Sequence, residues 1–230
     1  MKILAIDCAT NSGIAMVDFG ENGEVDEIST AHIKLTTNPD IKSMIAAVPE
    51  GVPDYIILER PFLLTPRTPK EEGEKGKTKE PAFMADDQEE IFRRSLYGYE
   101  RQLETLILWR AAVYERFGIV CKRYDKRRIN HKAKGRVVWP ATWQAPIGRM
   151  ANASPRENKK RVARRFVGSL LGYAFPSHDV NDAVCMAWYQ YQICKPLGLA
   201  PTTERQRRVI DAMRDSGALL PTRKQLDLFR

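Results

Sequence analysis

The sequence lacks several things whose absence narrows what it can do. Its four cysteines, Cys8, Cys121, Cys185 and Cys194, are scattered with no Cys-x-x-Cys pair, and its three histidines are not paired at metal-ligand spacing. That pattern indicates neither a zinc site nor a disulfide framework, so the cysteines read as small core residues in a reducing compartment. No apolar run reaches membrane-spanning length, and Met1 is followed by a strand-like segment where a leader would carry an apolar stretch. The expectation is a cytoplasmic protein. What is present is 230 residues, 43% of them hydrophobic, enough to bury one good core with extensions, and a net charge of +8. An excess of positive charge points to a polyanionic partner when it clusters, as it does here.

The chain opens with Ile3-Leu-Ala-Ile6, a short continuous apolar run that suits a strand covered on both faces, and ends it in a carboxylate, Asp7. A turn through Ala9-Thr-Asn-Ser-Gly13 leads to Ile14-Ala-Met-Val17, which predicts a hairpin. Asp7 in this setting is open to three readings: a ligand of a divalent metal, part of a cradle for an ATP phosphate, or an Asp that caps its own turn. A third antiparallel strand is expected over Glu24 to Lys34 and a short helix over Pro39 to Val48. Tyr55 to Leu58 then forms a second buried strand, ending like the first in an acid, Glu59. Sites in open sheets form outside the carboxyl ends of parallel strands, so these two acids meet if the strands are neighbours.

Thr65 to Pro81 has no aliphatic residue and is full of Pro, Gly and mixed charge, which predicts a mobile insertion overhanging the end of that strand. The longest helical pattern runs from Asp86 or Asp87 to Phe117, with Gly118 as its stop and Gly98 as a point of close contact or bend. Ile119 to Cys121 reads as the next strand. Basic residues follow: Lys122, Arg123, Lys126, Arg127, Arg128, Lys132, Lys134 and Arg136, then Trp139 and Trp143. Arg156, Lys159, Lys160, Arg161, Arg164 and Arg165 form a second group on a helix expected to open with Ser154 as N-cap and Glu157 closing a capping box. Positive charge spread over a loop and a helix, with few acids mixed in, is the footprint of phosphate contacts.

His178-Asp-Val-Asn-Asp-Ala-Val184 opens the last helix of the core. Asp179 and Asp182, three residues apart, lie on one helical face in its first turn, where like charges repel and invite a cation. The same pair also suits the positive end of the helix dipole.

Taken together, Ile3-Leu-Ala-Ile-Asp-Cys-Ala-Thr-Asn-Ser-Gly13, Leu58-Glu-Arg-Pro-Phe62 and His178-Asp-Val-Asn-Asp-Ala-Val184 resemble the RuvC type of Holliday-junction resolvase, in the RNase H-like nuclease superfamily. The resemblance covers roughly residues 1 to 193. It implies an α/β fold with a five-stranded mixed sheet flanked by helices, here as a nuclease domain over 1–195 followed by a C-terminal extension over 196–230. It also implies a homodimer, branched DNA as partner, and Mg2+ or Mn2+, two ions per site, held by Asp7, Glu59, Asp179 and Asp182. Phe62 matches an aromatic placed at the junction, and Lys159 or Lys160 a lysine near the scissile phosphate. The predicted products carry 5'-phosphate and 3'-hydroxyl ends. The family's Asp-Pro-Gly after the first strand is Asp7-Cys-Ala-Thr here, which bears on strand exchange and sequence preference and leaves the acids in place. Flaps or forks are an alternative substrate, and an actin-like ATPase or kinase an alternative class, against which stands the lack of a second Gly-rich phosphate loop.

Beyond a linker at Pro196-Leu-Gly-Leu-Ala-Pro201 and a short helical stretch, the chain ends Gln225-Leu226-Asp227-Leu228-Phe229-Arg230. Gln225 to Phe229 resembles the sliding-clamp-binding peptide of bacterial replication proteins, with the glutamine amide fixing orientation and Leu228 and Phe229 filling an apolar pocket. That peptide and the family together suggest a bacterial or bacteriophage source and the cytoplasm of a bacterial host.

Overall fold

A computed structural model describes residues 1–21, 23–35, 40–61, 85–123, 133–154 and 157–194, with 85–95 described by their backbone alone. The 65–81 insertion and the whole of 196–230 lie outside the described residues.

Three strands, β1 (Lys2–Asp7), β2 (Asn11–Phe19) and β3 (Val25–Lys34), form an antiparallel meander. After the helix α1 (Ile41–Ala47), strand β4 (Tyr55–Glu59) returns to pair with β1 in parallel, Ile6 opposite Leu58. The long helix α2 (Ala85–Phe117) leads to β5 (Cys121–Arg123) and β6 (Gly135–Val138), and β6 inserts in parallel between β4 and β5. The sheet order is β3-β2-β1-β4-β6-β5, so β1 and β4 are central. Helices α3 (Pro140–Met150), α4 (Lys159–Leu171) and α5 (His178–Cys194) complete the described chain.

Side chains alternate across a strand, and β1 divides its apolar run between two cores accordingly. Ile3 and Ala5 join Ala15, Val17, Ile57 and Val138 under α3, α4 and α5, while Leu4 and Ile6 join Ile14, Met16, Ile56 and Leu58 under α1 and α2. Fully burying one such Ile or Leu contributes about 2 kcal/mol, which explains why both central strands are apolar throughout. Helix α5 is buried almost all round, from Val180 to Tyr191. Its far end is fixed where Tyr191 stacks on Phe19 at 4.6 Å and donates its hydroxyl to the Gly20 and Glu21 carbonyls.

The architecture is the α/β mixed sheet flanked by helices expected from the sequence, with six strands where five were expected. The extra one is β6, hidden in the basic run because Gly135-Arg-Val-Val138 is short and carries a charge. Strand β5 lies two residues later than expected. Helix α2 ends as expected: Gly118 takes φ 65° and donates its N–H to the Tyr114 carbonyl at 2.8 Å. Gly98 makes no close approach, since a methyl group there would meet open space. The capping box is also corrected: α4 begins at Lys159, capped by Asn158, which accepts from the Lys160 N–H at 3.0 Å. The Ser154 carbonyl accepts a turn hydrogen bond from the Glu157 N–H, and the Glu157 carboxylate accepts from the Ser154 backbone while also taking a bidentate grip on Arg165, so the two residues close a turn ahead of α4 and do not cap the helix. All four cysteines are free, three buried and Cys194 partly so, as expected of core residues. Among the described residues no helix is long and apolar enough to cross a membrane.

Candidate active site

The sheet brings the two strand-end acids together because β1 and β4 are parallel neighbours in register. Asp7 is 8% exposed at the end of β1, and Glu59 closes β4 beside it. Helix α5 starts over the same edge. Gly13 of β2 pairs with Asp7 on one side and His32 of β3 on the other, and the backbone of Asp179 rests directly on it. Asp179 and Asp182 therefore reach the cluster from above.

The start of α5 is held by Asn181, which lies between the two acids in sequence and is fully buried. Its amide accepts from the Phe175 N–H at 3.1 Å and donates to the carbonyls of Phe175 and Ser177 at 2.8 and 2.6 Å. Trp143, buried on α3, donates its indole N–H to Glu59 Oε1 at 3.3 Å. His32 Nε2 lies 3.3 Å from Asp179 Oδ2.

The charges interact strongly. Burial, then the charge of Glu59, a hydrogen bond with it and the charge of Asp179 raise the Asp7 carboxyl well above the usual range. Glu59 is pushed up to about 7, chiefly by burial, with hydrogen bonds from Asp7 and Trp143 opposing and Asp182 and Asp179 adding. Asp182 rises to about 8 through burial first and then Asp7, with Lys160 opposing and Asp179 adding. Lys160 is exposed on α4, and its charge lowers both Asp7 and Asp182. Lys159 instead lines a cavity of ≈ 190 Å3 beside α3 and α4.

Among the described residues no group of three or more His, Cys, Asp and Glu side chains is gathered tightly enough to hold a metal ion as it stands. The donor chemistry nevertheless fits one: hard carboxylate oxygens carry excess negative charge in a buried setting, which a proton or a hard divalent cation must offset. A cleft of ≈ 290 Å3 opens onto Asp7 and Glu59 and is walled by Arg60, Pro61, Gln102 and Pro140. Of the two hydroxyls in the Thr10–Gly13 turn that a phosphate cradle would use, Thr10 is half-buried and that of Ser12 is engaged in the interior. Ser12 is buried, donates to the Ala9 carbonyl at 2.6 Å and accepts the indole N–H of Trp109 at 2.9 Å.

Of the basic residues expected at DNA, Arg123, Lys134 and Arg161 are exposed. Arg136 is not: it is 3% exposed, within β6, with its charge felt by Tyr55 and Cys194 in the interior. The alternation of β6 sends Arg136 to the same side as Val138, under the helices, so it is corrected from a surface contact to a core residue. Phe62, Lys126, Arg127, Arg128, Lys132 and Arg156 lie outside the described residues, as do Gln225, Leu226, Asp227, Leu228 and Phe229. The sequence reading missed Gly13, His32, Trp143 and Asn181. Only Asn181 left a local signal, an amide inside the Asp-Val-Asn-Asp run.

No protein-family model and no curated protein sequence matches the chain. Two solved structures of Thermus thermophilus RuvC are similar to it at low identity. The one in complex with a Holliday junction substrate is 11% identical with a TM-score of 0.39, and a second is 12% identical with a TM-score of 0.40. Each comparison covers 82% of this chain and 91% of the other.

Proposed function

We propose that this chain is a metal-dependent, structure-selective DNA endonuclease that resolves Holliday junctions and other branched DNA. The observation that carries the proposal is the convergence of four carboxylates from β1, β4 and α5 at the carboxyl ends of the central strands, with Asp7, Glu59 and Asp182 raised in pKa by burial and by one another, at a cleft that Arg60 helps to wall. Asp7, Glu59, Asp179 and Asp182 would hold Mg2+ or Mn2+, two ions per site. Such ions, when bound, supply Lewis acidity and a water made nucleophilic at neutral pH.

The chain's own residues do the rest. Asp7, the most buried acid among the described residues, sits between Glu59 and the acids of α5 and would be one of the metal's ligands. Trp143 orients Glu59. Lys160 adds positive charge where a scissile phosphate would bring a negative one. Exposed Arg123, Lys134 and Arg161, with Lys126, Arg127, Arg128, Lys132 and Arg156, would neutralise backbone phosphates, and Phe62 would meet the junction. The products would carry 5'-phosphate and 3'-hydroxyl ends.

The proposal includes a homodimer, supported by exposed Tyr97, Ile107 and Tyr114 along α2. It also includes capture of a bacterial sliding clamp by the Gln225–Phe229 tail. The test is cleavage of an end-labelled four-way junction with Mg2+ by the natural chain and by Asp182→Asn. Paired symmetric nicks that can be religated, lost in the variant, are expected. Binding without nicks removes the enzyme; cuts confined to flaps or forks move the substrate.

A further inference from the structure

Three strand ends along the same sheet edge carry a feature that the metal chemistry does not use. Arg60 follows Glu59 directly, and its backbone N–H donates to the Val138 carbonyl at 2.7 Å, which extends the ladder between β4 and β6 by one bond. Trp139 follows Val138, in extended conformation ahead of Pro140. Arg123 ends β5, the next strand over, opposite Val137. Both guanidinium groups gather on the one indole: Arg60 Cζ lies 4.2 Å and Arg123 Cζ 5.9 Å from the Trp139 ring centroid.

Two cations on one ring repel each other, so the arrangement needs a reason. Among the described residues neither arginine forms an ion pair with an acid. Stacking on an indole uses the face of a guanidinium and leaves the edge, with its fork of N–H donors, open to a planar or tetrahedral oxyanion. The ring thus holds two forks near the cleft, and among the described residues no acid takes either of them. Arg60 is also part of the wall of the ≈ 290 Å3 cleft that contains Asp7 and Glu59. From β4 to β5 is two strand spacings, roughly 10 Å, so the ledge extends the cleft away from the acids along the strand ends.

We infer that Arg60, Trp139 and Arg123 form a phosphate-gripping ledge, which holds the backbone of the DNA strand next to the bond that is cut. Trp139 is a positioning residue in this arrangement, and the arginines make the contact. The inference rests on the nuclease proposal and adds to it the direction in which the bound strand runs.

The test is binding of a labelled four-way junction to the full-length chain in metal-free buffer over a range of salt, with melting curves to check the fold. Arg60→Gln and Arg123→Gln should each weaken binding about tenfold and lower the slope of log affinity against log salt by about 0.9, the value for one lost phosphate contact. Arg60→Lys should keep the slope yet bind several-fold less tightly, about 3-fold or more, because an ammonium neither stacks nor forks. Trp139→Leu removes no charge and should weaken binding at an unchanged slope. If the natural chain binds and cuts the junction while all four variants match it in affinity and slope, the ledge is wrong and the nuclease proposal stands. A natural chain that binds no DNA overturns both.

Discussion

Gly13 and Asp179 are in backbone contact: a side chain on Gly13 would overlap the carbonyl carbon and oxygen of Asp179. Because Gly13 lies between Asp7 and His32 in the pairing of β1, β2 and β3, the missing side chain is what lets α5 settle onto the sheet at the acids. Metal chemistry needs carboxylates from different elements placed to within a fraction of an ångström, and this glycine sets that closeness.

Gly13→Ala should therefore act as a catalytic mutation with no change in any catalytic group. The added methyl meets main chain that cannot rotate away, so α5 must lift. Overpacking of this kind costs about 1–3 kcal/mol. Urea denaturation should show that loss, and Mg2+-dependent cleavage should fall by more than about 100-fold, since misplacement by about 1 Å is enough for that. An Ala variant with native activity would mean that α5 is not seated where Asp179 must act.

The cluster also predicts how metal and pH combine. Glu59 and Asp182 move from ordinary values of 4.5 and 3.8 to about 7 and about 8. The folded protein then holds protons that the unfolded chain has released, so these groups favour folding at low pH and lose that contribution as pH rises through their folded values. On the proposed metal chemistry, a bound divalent ion would replace the protons. The gap in melting temperature between Mg2+ and chelator should widen from about pH 5 to about pH 8, and metal binding near pH 7 should release protons measurable by calorimetry in two buffers. Asp182→Asn should melt higher than the natural chain in chelator at about pH 8. A gap that narrows with rising pH would contradict the assignment.

The four acids were legible because each stands at one end of an element whose apolar pattern is strong: Asp7 and Glu59 close two buried strands, and Asp179 and Asp182 open the helix that covers them. Adjacency of parallel strands then brings Asp7 to Glu59 without further information. What was not legible depends on register between distant segments. Nothing near Gly13 announces that a helix almost 170 residues on will rest on it, and nothing near Trp143 or His32 names Glu59 or Asp179 as a neighbour. Arg136 read as surface because its charge was counted with its sequence neighbours, whereas the pleat of β6 turns it inward. The capping box was misplaced because Ser154 and Glu157 close a turn of their own, while α4 begins only at Lys159 with Asn158 as its cap.

Trp143→Phe keeps the bulk of a fully buried ring and removes one donor from Glu59. A hydrogen bond to a charged group is worth about 1.5–3 kcal/mol, and this one favours the ionised carboxylate. Its loss should raise the Glu59 pKa and move the acid limb of the pH–rate profile to higher pH, with maximal activity recovered at sufficiently alkaline pH. Activity lowered equally at every pH would assign Trp143 to packing alone.

Asn181 separates the role of the α5 start from that of its acids. Its amide needs both a carbonyl and an NH2, because it accepts from the Phe175 N–H while donating to the carbonyls of Phe175 and Ser177. Asn181→Ala leaves three partly buried main-chain groups without this partner, which should cost about 1–3 kcal/mol. Asn181→Asp has almost the same shape, yet it can donate neither bond to the carbonyls and adds a buried negative charge between Asp179 and Asp182. It should be the more damaging change without metal, and the one that Mg2+ rescues more, because only the aspartate gives the ion an extra charge to offset. Urea midpoints of both variants with and without Mg2+ test this. Equal rescue of the two would mean that the field of the cluster does not extend to Asn181, and that its contribution is hydrogen bonding alone.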